Sequence, residues 1–363
     1  MAKRVSVDRW LFGVTLILVL IGMVMVFSAS AVVANANYHT PYYFVERQVI
    51  WAVLGMLALA GLMHLDYKKL NNPIAVFSAL SGTAVLLVLS YFQRDSHGAH
   101  RWIRFSGLSL QPSELAKPAI ILFLAWFLCN RTKSIADWKH TLIPAVLPSL
   151  FFMALIFKQP DLGTAMVCFA ITALILLSAG MELKYLGYSL LASVPLLYFA
   201  LFRTAWRMKR LVAFVDPYSD PQGSGFHIIQ SMIAVGTGGV TGLGLMEGKQ
   251  KLFYLPEPQT DFIFAVISEE WGLIGASLVI LLFGIFCYRG LRAAMNTRDN
   301  FARFIAVGVI GMVGVQAFFN ISVVLGMLPT KGIPLPFISY GGSSLFITLA
   351  SVGVLLNISQ QTD

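Results

Sequence analysis

Ten long apolar runs, separated by shorter polar stretches, organise the 363-residue chain. They cover residues 10–33, 46–65, 73–92, 113–130, 141–158, 163–181, 184–203, 261–288, 302–327 and 343–358. Each is close to the ~20 residues a helix needs to cross a hydrocarbon core. Inside a bilayer every backbone N–H and C=O must find an internal partner, so each run is predicted to be helical. The pattern predicts an all-α polytopic membrane protein of about ten transmembrane helices, forming a single integral membrane domain over residues 1–363.

Two polar stretches interrupt the alternation. One is 93–112. The other, 204–260, is rich in glycine and proline and too long for a simple connection. Within it Phe226, Ile228, Ile229, Met232 and Ile233 recur at helical spacing, which predicts a helix over 225–235 lying along the membrane surface.

Basic residues orient the spans. With the N-terminus inside, the inner segments hold Lys3, Arg4, Arg9, Lys68, Lys69, Arg131, Lys133, Lys139, Lys184, Arg289, Arg292, Arg298 and Arg303. The short outer loops hold Arg47, Arg94, Arg101, Arg104, Lys158 and Lys331. This bias predicts an N-in/C-in topology, with 204–260 as a long extracytoplasmic loop between helices 7 and 8. That loop carries Arg207, Lys209, Arg210, Lys249 and Lys251, but long segments translocate largely regardless of charge.

Composition agrees. The chain is 57% hydrophobic and 12% charged, against about 25% charged in a soluble domain. Its net charge of +9 suits the anionic headgroups of membrane lipids, and no basic run carries the stacking aromatics of a nucleic-acid surface. Cys129, Cys168 and Cys287 lie in or beside apolar runs, without metal or disulfide spacing. The first 31 residues resemble a secretory leader, but the apolar run Leu11–Phe27 exceeds the usual ~7–15 residues, so it is expected to stay as the first helix.

Ionisable residues at the ends of spans are the first candidates for chemistry, because burying charge in a membrane is costly. In Gln111-Pro112-Ser113-Glu114-Leu115-Ala116-Lys117-Pro118, Ser113 suits a helix N-cap, and Glu114 and Lys117 share one helix face. They are either a self-satisfied ion pair or the lining of an outward cavity. Asp161 sits in the short connection 158–164, near the outer membrane face, as a turn residue or an N-cap of the sixth span. Asp261 enters the eighth span after Thr260; it either caps that helix or serves as a base or cation ligand at the membrane surface. Glu269 and Glu270, further along the same run, are expected to hydrogen-bond inside the bundle. Arg203, Arg207, Lys209 and Arg210 either meet headgroups or clamp a pyrophosphate. The segment 333–344, with Pro334, Pro336, Gly341 and Gly342, reads as a re-entrant turn that could offer backbone N–H groups and Ser339 to a substrate. The glycines of 236–248 do not make a nucleotide loop: the Gly-Lys spacing is one residue short and no Ser/Thr follows.

Six segments, in order, resemble the SEDS family (shape, elongation, division and sporulation) across nearly the whole chain. They are MVMVFSASA (23–31), HRWIRFSGLSLQPSELAK (100–117), KQPDLGTA (158–165), RMKRLVAFVDPYSDPQGSGFHIIQS (207–231), LPEPQTDFIFAVISEEWG (255–272) and LPTKGIPLPFISYGGSS (328–344). LPTKG with SYGGSS is more similar to the family's division branch than to its elongation branch. One departure is Pro258-Gln259, where many members place a residue followed by His before Thr-Asp.

The resemblance implies a peptidoglycan glycosyltransferase of the bacterial cytoplasmic (inner) membrane, acting at the division septum. It would join lipid II units into glycan strands on the outer face and release undecaprenyl pyrophosphate. It assigns the essential carboxylate to Asp261, as base or metal-organising group, and places Glu114, Lys117 and Asp161 in one outward-open cavity. Arg101, Arg207, Arg210 and Ser339 complete the expected substrate-binding set. A divalent cation, Mg2+ or Mn2+, is the expected cofactor, with no nucleotide. The implied partners are a class B penicillin-binding transpeptidase and other divisome proteins. A lipid II flippase and a non-catalytic division scaffold are the competing readings; the first requires polar residues at mid-membrane, the second requires Asp261 to be dispensable.

Overall fold

In the computed structural model, residues 7–93, 101–105, 108–131, 135, 137–202 and 204–361 are described. Arg203 and Arg94 fall outside them. Twelve α-helices are described: α1 (Arg9–Tyr38), α2 (Tyr43–His64), α3 (Pro73–Ser90), α4 (Pro112–Cys129), α5 (Ile143–Lys158), α6 (Leu162–Ser178), α7 (Leu183–Phe202), α8 (Ala205–Val215), α9 (Phe226–Thr237), α10 (Ile263–Asn296), α11 (Asn300–Val324) and α12 (Gly342–Ser359). Eight of them, α1 to α4, α5 with the π-helical turn before it, and α10 to α12, are long and apolar enough to cross a membrane. Helices α6 and α7 occupy the other two predicted spans.

Local chemistry sets the helix starts. Asp8 caps α1 by accepting from the amides of Trp10 and Leu11, and Asn72 caps α3, whose first residue is Pro73. Proline suits that position because its fixed φ is already helical and its missing N–H would have had no partner. Pro112 starts α4 in the same way, so the cap falls on Gln111 and not on the predicted Ser113. The Ser113 hydroxyl is buried without a partner instead.

Helices α4, α11 and α12 are the most enclosed, while α2 and α3 turn most of their surface outward. The α2–α12 contact is the most extensive, and α11 packs on α4, α6 and α10. The start of α1 and the end of α12 lie at the same end of the bundle. There Asp8 pairs with Arg289 at 2.7 Å, the Tyr67 amide donates to Asn357, and the Tyr67 ring stacks on Phe301. At the opposite end, Gln48 donates to the Ser339 carbonyl and accepts from the Gly341 amide, tying α2 to segment 333–341. Helix α1 crosses that segment at Gly22, where a Cβ would stand 2.5 Å from the Phe337 carbonyl oxygen and 2.7 Å from the Ile338 Cα. Both are backbone atoms that cannot swing aside. Gly22→Ala is therefore expected to destabilise the fold by about 1–3 kcal/mol, read as a lower thermal midpoint in detergent.

Two features differ from the sequence expectation. The chain is not wholly α: Ile103–Phe105 and Leu108–Leu110 form a two-stranded antiparallel hairpin with Ile103 opposite Leu110. Its alternating short polar and apolar residues were too few to register as strands. The eighth span is not a simple helix over 261–288. It is broken at Gly272, which adopts φ 63 and ψ −162, a region open essentially to glycine alone. The stretch 236–248 then meets the break. Leu243 and Gly244 donate to the carbonyls of Glu269 and Glu270, and Leu273 and Ile274 donate to those of Gly239 and Val240. Thus every backbone group freed by the break that these bonds reach is satisfied by the glycine-rich loop, as burial demands. The predicted helix over 225–235 is present as α9; Ile228, Ser231 and Ala234 are buried, Met232 and Ile233 exposed, and Ser231 donates to the Val324 carbonyl.

Candidate active site

The end of the bundle opposite the helix termini of α1 and α12 gathers most of the predicted residues around Asp261. Asp261 does not cap a helix: Phe262 is the N-cap of α10, and its side chain makes no capping bond. Among the described residues no hydrogen bond reaches the Asp261 carboxylate, although its backbone carbonyl accepts from Asn320 at 2.8 Å. Burial pushes its carboxyl up to about 6; nearby Glu257 and Asp161 add to the rise, and Arg101 and Arg210 oppose it. The result is a partly accessible carboxylate that is charged near neutrality yet basic enough to take a proton.

Its backbone is held from several sides. Asn320, 2% exposed in α11, donates through Nδ2 to the carbonyls of both Asp261 and Ile333. Ser339 donates to the Thr260 carbonyl at 2.6 Å and accepts from the Leu335 amide. The Ser339 proton is committed to that carbonyl, so the residue holds the Asp261 loop in place. The Tyr340 amide donates to the Gln259 carbonyl. Glu257, between Pro256 and Pro258, takes φ 50, a left-handed conformation that costs a non-glycine residue about 1–2 kcal/mol. Gln259, at the departure from the family pattern, donates to Glu257 at 3.2 Å and leaves its own buried Oε1 without a partner.

Asp161 caps α6. Its carboxylate accepts from the Thr164 amide at 3.1 Å and the Thr164 hydroxyl at 2.8 Å, and it lies within electrostatic reach of Asp261 and Lys331. Arg101 donates to the carbonyls of Gln159 and Pro160, fastening the end of the hairpin region to the α5–α6 turn. Arg207 packs against the rings of Phe157 and Trp206, at 4.8 and 5.0 Å, and Arg210, one helical turn beyond Trp206, lies 5.0 Å from the same Trp206 ring. Burial lowers both guanidinium groups from their usual range, and Arg101 beside Arg210 lowers it further.

Glu114 and Lys117 are brought together but enclosed. Their 2.8 Å ion pair is 2% and 1% exposed, and Ser344 donates to the same Glu114 oxygen at 2.6 Å. The Lys117 ammonium is thus held by Glu114 in this conformation. Lys331 is a second lysine close to the predicted residues. It stands near Asp161, Arg207 and Arg210, and burial brings its ammonium down to about 8. Its position in LPTKG was the available signal; the sequence reading counted it only among the outer-loop residues that orient the spans.

For a divalent cation, the donors present are the two free oxygens of Asp261, with Glu257 and Asp161 in electrostatic range. Among the described residues no group of three or more His, Cys, Asp and Glu could hold a metal. The set fits a hard cation held by one or two carboxylates and by phosphates of a substrate, as Mg2+ commonly is.

The geometry defines a polytopic membrane protein with a partly accessible carboxylate, flanked by cationic side chains, at one end of its bundle. A family model described as "Cell cycle protein", that of FtsW, RodA and SpoVE, matches residues 8–363. The chain is 43% identical over 341 residues to the "Probable peptidoglycan glycosyltransferase FtsW" of Geobacter metallireducens, covering 93% of this chain and 90% of that one. It is 41% identical over 364 residues to the stage V sporulation protein E of Bacillus subtilis, covering 99% and 98%. Its fold matches a chain from a peptidoglycan synthase complex described for "coordination of polymerization and crosslinking" (TM-score 0.80, 30% identity, 98% of each chain). It also matches the rod shape determining protein RodA of Thermus thermophilus (TM-score 0.72, 26% identity, 98% of each). The chain belongs to the SEDS family of peptidoglycan glycosyltransferases.

Proposed function

We propose that this chain polymerises glycan strands from lipid II at the outer face of the bacterial cytoplasmic membrane, for septal synthesis in division, and releases undecaprenyl pyrophosphate. In this reading it spans the membrane ten times with its N- and C-terminal ends both inside. Asp261 then faces outward, and a class B penicillin-binding transpeptidase cross-links the product alongside other divisome proteins. The observation that carries the reading is Asp261: a carboxylate with no hydrogen bond among the described residues, pushed to about 6, near Arg210 and Asp161, with Lys331 close to Asp161.

The chemistry follows from those groups. The acceptor's sugar hydroxyl gives its proton to an Asp261 oxygen as its own oxygen attacks the donor's anomeric carbon. The bond from that carbon to the pyrophosphate oxygen breaks, and the leaving group takes the electron pair. The transition state has oxocarbenium character, and single displacement turns an α-linked donor into a β-linked strand. Arg210 and Lys331 stabilise charge on the departing pyrophosphate. A divalent cation held by Asp261 and the substrate phosphates would supply further charge neutralisation.

Because the base form of Asp261 is required, the rate should rise with pH through about 6 and fall about tenfold per pH unit below it. If Lys331 must stay protonated, the rate should decline again above about 8. Initial rates at low lipid II, which follow kcat/KM and so report the groups of the free enzyme, give this bell; a rate that stays flat below about 6 and above about 8 rejects the pairing of roles. The direct test is the purified chain with its cognate transpeptidase, lipid II and a divalent cation. Glycan strands support the proposal. No strands, with lipid II translocation in reconstituted vesicles, would support the flippase.

A further inference from the structure

The Lys251–Glu270 pair is as deeply buried as the Glu114–Lys117 pair, with side chains 3% and 0% exposed and a separation of 2.6 Å. It takes no part in the chemistry above. Its position in the chain is informative. Lys251 lies ten residues before Asp261 and Glu270 nine residues after it. The pair therefore closes the loop whose far end carries the catalytic carboxylate. Ser28 of α1 completes it: its hydroxyl lies 2.6 and 2.8 Å from the two Glu270 oxygens and accepts from Lys251 at 3.0 Å. Ser28 belongs to MVMVFSASA, a segment of the family resemblance to which the Asp261 site gives no role.

The surrounding backbone is arranged around the same two carboxylates. The Met246 amide donates to Glu270 at 3.0 Å, and Met246 takes the left-handed φ of 69 there. The Lys249 and Gln250 amides donate to Glu269 at 2.8 and 3.2 Å. With the four backbone bonds across the Gly272 break, the segment 239–251 is fastened to 269–274 throughout. The Leu255 amide then returns to the Gln250 carbonyl, and the Leu255 side chain is buried, leading without slack to Thr260 and Asp261.

We propose that Lys251, Glu270 and Ser28 form a clasp that positions Asp261 for catalysis. Asn320 and Ser339 hold the front of the loop at the Asp261 and Thr260 carbonyls; the clasp fixes both of its arms at the base. Lys251 and Glu270 are positioning residues, acting through the loop. An alternative is a purely structural pair whose loss lowers activity only by lowering the amount of folded protein. The two differ in what happens when both charges are removed. Removing one partner leaves a buried unpaired charge and destabilises strongly, whereas replacing both with apolar groups of similar size is often neutral.

The inference rests on the polymerase reading, so its test has one arm that needs activity and one that does not. Lys251→Met, Glu270→Gln and the double variant Lys251→Met/Glu270→Leu are purified with the cognate transpeptidase. The expected result is a lowered thermal midpoint in the single variants and a recovered one in the double. The kcat for lipid II polymerisation stays 10- to 100-fold down in all three, with KM little changed. Lys251→Arg should retain more kcat than Lys251→Met. In parallel, backbone hydrogen exchange over 255–262 should rise in the double variant while α4 and α11 stay protected. Full kcat in the folded double variant, or unchanged exchange over 255–262, overturns the clasp. If the wild type makes no strands, the polymerase reading fails, and the exchange arm still decides whether the pair orders the Asp261 loop.

Discussion

Asp261→Asn should abolish measurable strand synthesis, a loss of about 10³-fold or more, with the chain still folded and present at normal level. The amide keeps the shape of the carboxylate but cannot accept the acceptor's proton. The fold should not suffer, because among the described residues no side-chain or backbone donor spends a hydrogen bond on those oxygens. It should even gain. A carboxyl whose folded pKa is raised to about 6 contributes stability below its unfolded value near 3.8, and that contribution is lost as pH rises through about 6. At pH 7.5 the wild type therefore carries an ionised group in an unfavourable place, and Asn does not. The expected stabilisation is about 1 kcal/mol, allowing for the partial exposure of the group. Loss of activity with a higher or equal thermal midpoint separates a catalytic carboxylate from a structural one. Retained polymerisation by Asp261→Asn would reject Asp261 as the base.

The parts of this molecule that were legible in the sequence are those governed by one-dimensional physics. A bilayer forces each long apolar run into a helix, so α1 to α7 and α10 to α12 fall where hydropathy placed them. Asp161 and Asp261 stood out because charge at a span end is rare and costly. What the sequence hid depends on partners distant along the chain. Gly238, Gly242 and Gly244 looked like a failed nucleotide loop, yet their loop runs against the broken turn at Gly272, about thirty residues on. Nothing local announces that. Asn320 was one polar residue in an apolar helix, with its two acceptors, at Asp261 and Ile333, supplied by separate loops. Lys117 and Lys331 illustrate the limit from the other side. Both are lysines near the outer ends of spans; the i, i+3 spacing offered Glu114 as a partner for one, and only the fold shows that pair enclosed and the other lysine beside Asp161 and Arg210.

Gly332→Ala should reduce polymerisation about 100-fold without unfolding the chain. A Cβ at residue 332 would stand 2.6 Å from the Asp261 Oδ2, inside any real contact distance. Its neighbours on the chain cannot retreat far: the Ile333 carbonyl is held by Asn320, and Leu335 is held through its amide by Ser339. The Asp261 backbone is held by the same Asn320. The added methyl therefore moves the freest group, which is the carboxylate itself. A displacement of about 1 Å at a reacting group costs about 10² in rate. Because the carboxylate has no hydrogen bond to lose, the displacement should leave the thermal midpoint nearly unchanged. The pH profile supplies the discriminating readout. A shifted carboxylate meets a different balance of burial, Glu257 and Arg101, so the acid limb near 6 should move, whereas a variant that merely unfolded would keep the limb and lose amplitude. Wild-type kcat in Gly332→Ala would mean that the 332–333 turn yields to the methyl, and that the productive position of Asp261 is not the one seen here.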